Sequence, residues 1–157
     1  MKFIIEVPTA VDFPELTEVW EASVRATHDF LKEEDIRFYK PLVLNEFLKA
    51  VQLYCIKSDT GKIAGFMGLV DKSIEMLFID PLFRGNGIGK TLVQFAVNAC
   101  KADKVDVNEQ NTQALGFYQK MDFAVTGRSE QDTMGKPYPI LHMALNIKFN
   151  NQGVAVM

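Results

Sequence analysis

Residues 83–91 read Phe83-Arg84-Gly85-Asn86-Gly87-Ile88-Gly89-Lys90-Thr91, with three glycines in five positions. They follow a strand-like run, Ser73 to Asp80, and precede a helical pattern, Ile88 to Lys101. Glycines let a main chain approach an anion closely. The first amides of a helix lack internal partners, and the helix dipole favours negative charge there. The stretch therefore reads as a phosphate loop rather than a plain strand-to-helix turn. Spacing decides which phosphate.

A Walker loop places a glycine five residues before the glycine of its Gly-Lys-Ser/Thr ending. That ending is Gly89-Lys90-Thr91 here, and the required place holds Arg84, with Gly85 one position out. A slip of one residue changes how the backbone wraps a triphosphate. A dinucleotide fingerprint needs Gly-x-Gly-x-x-Gly followed by an acid about 20 residues on. Gly85 and Gly87 fit, but the third place is Lys90, although Asp103 or Asp106 could serve as the acid. That loop also belongs near a domain's first strand, whereas three or four strands come first here. The remaining pattern is Arg-Gly-x-Gly-x-Gly.

Outward from the loop, periodicity predicts the elements. Lys2–Val7 reads as a short strand ended by Pro8. Asp12–Asp29 is a helix with Leu16, Val19, Trp20, Val24, Thr27 and Leu31 on one stripe, opposite Glu15, Glu18 and Arg25. Glu33–Ala50 is helical, with acids at its positive end and Pro41 dividing it into two short helices. Strands follow at Val51–Lys57 and Lys62–Val70, joined through Ser58-Asp59-Thr60-Gly61, and at Ser73–Asp80. Leu92, Val93, Ala96 and Val97 form the inward face of the helix after the loop. Then come strand Val105–Asn108, helix Asn111–Lys120 capped by Asn111, and strands Phe123–Glu130 and Tyr138–Asn146. Consecutive strands followed by strand–helix alternation imply an α/β mixed sheet with helices on both faces. One domain is expected over 1–149, with a loose tail at 150–157.

Bulk properties agree. The chain has 157 residues, 48% hydrophobic and 24% charged, with net charge −3. That suits a globular domain and gives no basic footprint for nucleic acid. No apolar run reaches the length of a membrane span, and the early acid Glu6 breaks any signal-peptide core. A cytoplasmic protein is expected, with no membrane partner. Cys55 and Cys100 read as free thiols.

The loop pattern resembles the GNAT acetyltransferases, whose consensus Arg/Gln-x-x-Gly-x-Gly/Ala is filled by Arg84, Gly87 and Gly89. Asn108-Glu109-Gln110-Asn111, Ala114 and Phe117-Tyr118-Gln119-Lys120-Met121-Asp122-Phe123 resemble the family's Asn…Ala…Phe-Tyr-x-x-x-Gly-Phe segment. Asp122 stands where the family has glycine, at a helix end that calls for a left-handed residue. Trp20 to Leu31, Val107 to Asn111, and Thr126 to Pro139 are similar to the small bacterial branch of the YjaB type, so the likeness covers nearly the whole chain.

The resemblance implies a GNAT fold: a mostly antiparallel mixed sheet of about six or seven strands. It implies an acetyl-CoA-dependent N-acetyltransferase, with acetyl-CoA as cosubstrate and no metal, in which an acceptor amine attacks the thioester directly. Residues Arg84, Gly85, Asn86, Gly87, Ile88, Gly89, Lys90 and Thr91 would hold the pyrophosphate. The backbone at Leu77, Phe78 and Ile79 would pair with the pantetheine arm, an extended amide chain beside an open strand edge. Asn108, Asn111 and Ala114 would line the same arm, Asn111 doubling as a helix cap. Tyr118 would protonate the leaving thiolate, its phenol being neutral at physiological pH. The alternative for Tyr118 is an aromatic core pair with Phe117. The proton acceptor is His28 or Glu75. Their alternatives are a helix-end histidine whose cation the dipole favours and an outward strand position. A non-catalytic acetyl-CoA sensor is the rival function. Glu33, Glu34 and Asp35 could attract a cationic acceptor, or simply begin a helix in solvent.

Overall fold

The computed structural model describes residues 3–146, 148–149 and 155–156. Seven strands hydrogen-bond in the order β1-β2-β3-β4-β5-β7-β6: β1 Ile5–Glu6, β2 Gln52–Lys57, β3 Ile63–Val70, β4 Ser73–Ile79, β5 Lys104–Asn108, β6 Phe123–Ser129 and β7 Ile140–Leu145. The helices are α1 Phe13–Thr27, α2 Glu33–Leu42, α3 Ile88–Asn98 and α4 Thr112–Lys120. Ser73 and Ile74 of β4 pair in parallel with Lys104 and Val105 of β5. The β1–β2, β2–β3, β5–β7 and β6–β7 pairs are antiparallel. The mixed, mostly antiparallel sheet matches the expectation, apart from the first strand, which is shorter than Lys2–Val7.

Contacts divide the chain into two compact units. The first runs through Val70 and resumes over Glu75–Gln94; the second holds Asp71–Ile74 and the residues from Phe95 onward.

In the first unit, the α1 stripe is buried at Leu16, Val19, Trp20 and Val24, in one core with Ile36, Val43, Leu48, Leu53, Ile63 and Phe66. Thr27 and Leu31, at the end of the expected stripe, are half-buried. Every residue from Ile63 to Leu69 is buried, which explains why β3 reads as a continuous apolar run rather than an alternating one. The backbone N–H of Ile63 donates to Glu15 Oε2 at 2.7 Å, tying the start of β3 to α1. Gly65 makes a close approach possible: a Cβ there would stand 2.7 Å from Ile79 Cδ1 and 2.9 Å from Ile88 Cγ2.

Pro41 does not split the second helical region as expected. It lies inside α2, and the chain continues through a π-helical stretch, Val43–Phe47, and a 3-10 turn, Leu48–Ala50. Proline removes one ladder donor, and a widened turn relieves the ladder without breaking it. Burial of Val43 and Leu48 in the core holds the stretch helical.

In the second unit, Tyr118 packs edge-to-face on Phe123, with ring centroids 5.7 Å apart. Val105, Val107, Leu141 and Met143 are buried on alternate positions of β5 and β7. Asp122 adopts the left-handed conformation expected of the residue after α4, with φ 71°. The expected loose tail lies mostly outside the described residues. Within it, β9 Ala155–Val156 pairs with β8 Lys148–Phe149.

Candidate active site

The glycine loop is built by its neighbours. After β4, Asp80 Oδ1 accepts the N–H of Leu82 at 3.0 Å, which starts the 3-10 turn Pro81–Phe83. Asp80 is buried, and its other oxygen lies 3.2 Å from Lys62 Nζ. That ammonium also sits 5.8 Å from the centre of the Phe83 ring. Sequence reasoning missed this Lys62–Asp80–Phe83 anchor, because Lys62 comes from the turn before β3, far along the chain from Asp80. Asn86 folds back, its Nδ2 donating to Phe83 O at 2.8 Å.

Gly85 and Gly87 take left-handed φ values of 80° and 77°, and a Cβ at either would meet nothing within 4 Å. Both therefore face open space. The first internal bond of α3 runs from Thr91 N to Gly87 O at 3.0 Å. The amides of Ile88, Gly89 and Lys90 precede it, so they have no partner within the helix. The Thr91 hydroxyl donates to the same Gly87 carbonyl at 2.8 Å and closes the turn. Arg84, Lys90 and both loop glycines are exposed, whereas Ile88 is buried as the helix anchor.

On β4, Leu77, Phe78 and Ile79 are half-buried. Phe78 lies against Phe66, with centroids 5.7 Å apart, so its side chain serves packing. Glu75 is exposed between buried Ile74 and Met76, an outward strand position.

His28 caps α1, its N–H donating to Val24 O at 2.7 Å. Thr27 Oγ1 donates its one hydrogen to Ser23 O at 2.8 Å, so the 2.7 Å contact with His28 Nδ1 has Nδ1–H as donor. That fixes the tautomer and leaves Nε2 as an acceptor. Burial pushes His28 down to about 4, more than the Asp29 charge raises it. In the alternative reading, a plain helix-end histidine, the dipole would favour the cation; desolvation outweighs it and keeps the ring neutral. Of the acidic run, Glu33 is held by Arg25 at 2.6 and 2.9 Å, Glu34 is exposed and Asp35 is buried.

In the second unit, Asn108 Oδ1 accepts the N–H of Gln110 at 3.1 Å, and Asn111 Oδ1 accepts that of Ala114 at 3.1 Å. Both carbonyls are used locally, which leaves the two NH₂ groups to face other partners. Tyr118, on α4, is 5% exposed. Its hydroxyl has no hydrogen-bond partner among the described residues, and burial raises its pKa. The ring also packs on Phe117, centroids 5.1 Å apart, so the aromatic pair exists beside any chemical role. His142, the second of two histidines, bonds both Asp106 and Ser129; no sequence signal joins these three.

Both cysteines are free. Cys55 is fully buried, and desolvation holds its thiol up near 11, so it is a poor nucleophile. Among the described residues, no helix is long and apolar enough to cross a membrane.

The family model described as "Acetyltransferase (GNAT) domain" matches residues 26–146. The peptidyl-lysine N-acetyltransferase YjaB of Salmonella typhimurium (strain LT2) is 48% identical over 128 residues, 82% of this chain and 88% of that protein. The solution structure of apo YjaB from Escherichia coli superposes with a TM-score of 0.85 at 41% identity, covering 93% of this chain and 99% of that one. An N-acetyltransferase of Thermoplasma acidophilum, solved with coenzyme A, shares the fold at a TM-score of 0.69 and 23% identity, over 90% of this chain and 98% of that one. With its glycine loop, its Asn–Ala–Phe-Tyr segment and a family match over most of its length, the chain belongs to the GNAT family of acetyl-CoA-dependent N-acetyltransferases.

Proposed function

We propose that the protein acetylates the side-chain amine of lysine in peptides or proteins, with residues 1–149 working as one catalytic domain in the cytoplasm. The observation that carries the cofactor half is the loop: two left-handed glycines with open space at both Cβ positions, leading into α3. The free amides of Ile88, Gly89 and Lys90 bind the CoA pyrophosphate, and Arg84 and Lys90 add charge. The β4 backbone at Leu77–Ile79 takes the pantetheine amides, as do the NH₂ groups of Asn108 and Asn111, and Ala114 packs on the arm.

The neutral amine attacks the thioester carbonyl, and the C–S bond breaks as the C–N bond forms. Tyr118 donates its phenolic proton to the departing thiolate. Its hydroxyl, on a buried ring and unpartnered among the described residues, supports this, and the pKa raised by burial keeps the phenol protonated at neutral pH. His28 receives the amine proton at Nε2, through water, with Glu75 as its rival. The acceptor class rests on the likeness to the peptidyl-lysine N-acetyltransferase YjaB of Salmonella typhimurium, which is 48% identical.

The test is a thiol-release assay with acetyl-CoA and an amine panel: lysine peptides, peptides with only an N-terminal amine, and small polyamines. Lysine peptides should turn over fastest, with one acetyl group mapped to the lysine Nζ. A preference for another amine would overturn the acceptor. CoA binding without turnover of any amine would leave a sensor instead.

A further inference from the structure

On β5, β6 and β7 lies a second constellation, beside Asn108 on the same face of β5 but with no member among the residues given to acetyl transfer. His142 Nδ1 lies 2.7 Å from Asp106 Oδ1, and His142 Nε2 lies 2.7 Å from Ser129 Oγ. An ionised carboxylate only accepts, so Nδ1 carries the hydrogen that bonds Asp106. In the neutral ring Nε2 is then a lone pair, and Ser129 donates to it. A hydroxyl bonded to an imidazole that a carboxylate orients is the arrangement of an activated nucleophile.

The sheet builds it by register. Asp106 is directly opposite His142, and His142 is opposite Gly127. Ser129, two residues beyond Gly127, shares that face. The parity depends on a bulge: Val125 opposes Met143, but Gly127 opposes His142, so Thr126 is the extra residue. In a regular ladder Arg128 would share the His142 face and Ser129 would turn to the other side. Gly127 leaves the imidazole room, since even a Cβ there would be 3.6 Å from His142 Cδ2. Arg128 is drawn away by Glu109, with Nε 2.6 Å from Oε2.

We propose that Ser129 is a nucleophile toward small activated acyl esters and thioesters, with His142 as base and Asp106 as its positioning residue. The class follows from the setting. Asp106 and His142 are 40% and 41% exposed and Ser129 is half-buried, so the group is open to a small donor rather than a large one. An open sheet face grips little of a large substrate, so the donor must carry a good leaving group. In the step, Oγ bonds to the acyl carbon as its proton passes to Nε2. The bond to the leaving oxygen or sulfur breaks, and His142 gives the proton to the leaving group or, where that anion is a weak base, to solvent water, so Nε2 is again a lone pair. Water then attacks the acyl-serine, giving a proton to Nε2 that passes to the released Oγ. The balance is hydrolysis of one ester.

The experiment treats the intact chain with p-nitrophenyl acetate and, separately, with an alkyl fluorophosphonate. Wild type should release a burst of one nitrophenolate per chain and carry the label on the peptide containing Ser129. Ser129→Ala should lose the burst. His142→Gln and Asp106→Asn should slow acylation by roughly 10²-fold or more, the scale of a positioned base, while Asp106→Glu restores part of the rate. A wild-type label that maps elsewhere overturns the proposal whatever the variants do. So does a burst rate no faster than that of free N-acetylserine, or one that Ser129→Ala retains.

Discussion

Thr27 and His28 form a pair with one direction: the threonine hydroxyl is spent on Ser23 O, so it accepts from Nδ1–H of the imidazole at 2.7 Å. An exposed histidine base would give an acid limb in the rate profile near pH 6 to 7, around its ordinary pKa of about 6.5. With His28 pushed down to about 4 by burial, the limb should move to about pH 4. His28→Gln should lower turnover and remove that limb. If Glu75→Gln removes it instead, the proton goes to the carboxylate.

The same burial links His28 to stability. The unfolded ring binds a proton near pH 6.5 and the folded ring only near pH 4, so the unfolded state holds more protons in between. Stability should therefore fall as pH drops from about 6.5 to about 4. Glu21, Glu33 and Glu109 have lowered pKa values through their basic partners. Their contribution is lost only below the ordinary carboxylate range. Urea melts of His28→Gln should flatten the upper window and leave the lower one.

At the loop, Gly87→Val should weaken CoA binding at least about tenfold by calorimetry, since a side chain would enter the space left for phosphate. Gly61→Val is the control, having φ 87° and nothing within 4 Å of its Cβ. It carries the same backbone strain, of roughly 1–2 kcal/mol, in the β2–β3 turn. Equal loss in both variants would mean that strain, not the pyrophosphate, sets the effect.

Tyr118→Phe should lower turnover roughly 10²-fold with CoA affinity nearly unchanged. The fold should not suffer, because the hydroxyl leaves no broken hydrogen bond behind among the described residues. Full turnover in a single-turnover measurement, where product release cannot hide the chemical step, would remove the acid role.

Asp122→Gly should raise stability by about 1 kcal/mol in urea, since glycine adopts φ 71° without steric cost. Gly65→Ala should do the reverse, by about 1–3 kcal/mol, because Ile79 and Ile88 occupy the space a methyl group needs. Adding Ile79→Val to Gly65→Ala should recover part of that loss.

The elements that bury a stripe were readable in the sequence. Leu16, Val19, Trp20 and Val24 of α1, and Leu92, Val93, Ala96 and Val97 of α3, repeat at helical spacing and are all buried. The left-handed Asp122 followed from its place after a helix. Pro41 misled because the missing donor was counted without the core that holds Val43 and Leu48 in place. The lowered pKa of His28 was not readable, because a dipole can be read from the chain order, whereas desolvation depends on what packs around the ring. The Asp106–His142–Ser129 group was invisible, since it needs β7 to insert between β5 and β6 and one strand to gain a residue.

The extra residue at Thr126 makes what the outer half of β6 offers its neighbours a matter of register. Phe123, whose register precedes the bulge, stays buried whether or not the codon for Thr126 is present. Loss of that one codon would only close the bulge, leaving Gly127 opposite His142 and Ser129 on the same face; a slip that pairs Thr126 with His142 would instead bring the guanidinium of Arg128 there. The choice between a nucleophilic and a cationic surface on this face is thus one of register, not composition, with the hydrophobic side of the sheet unaltered up to that point.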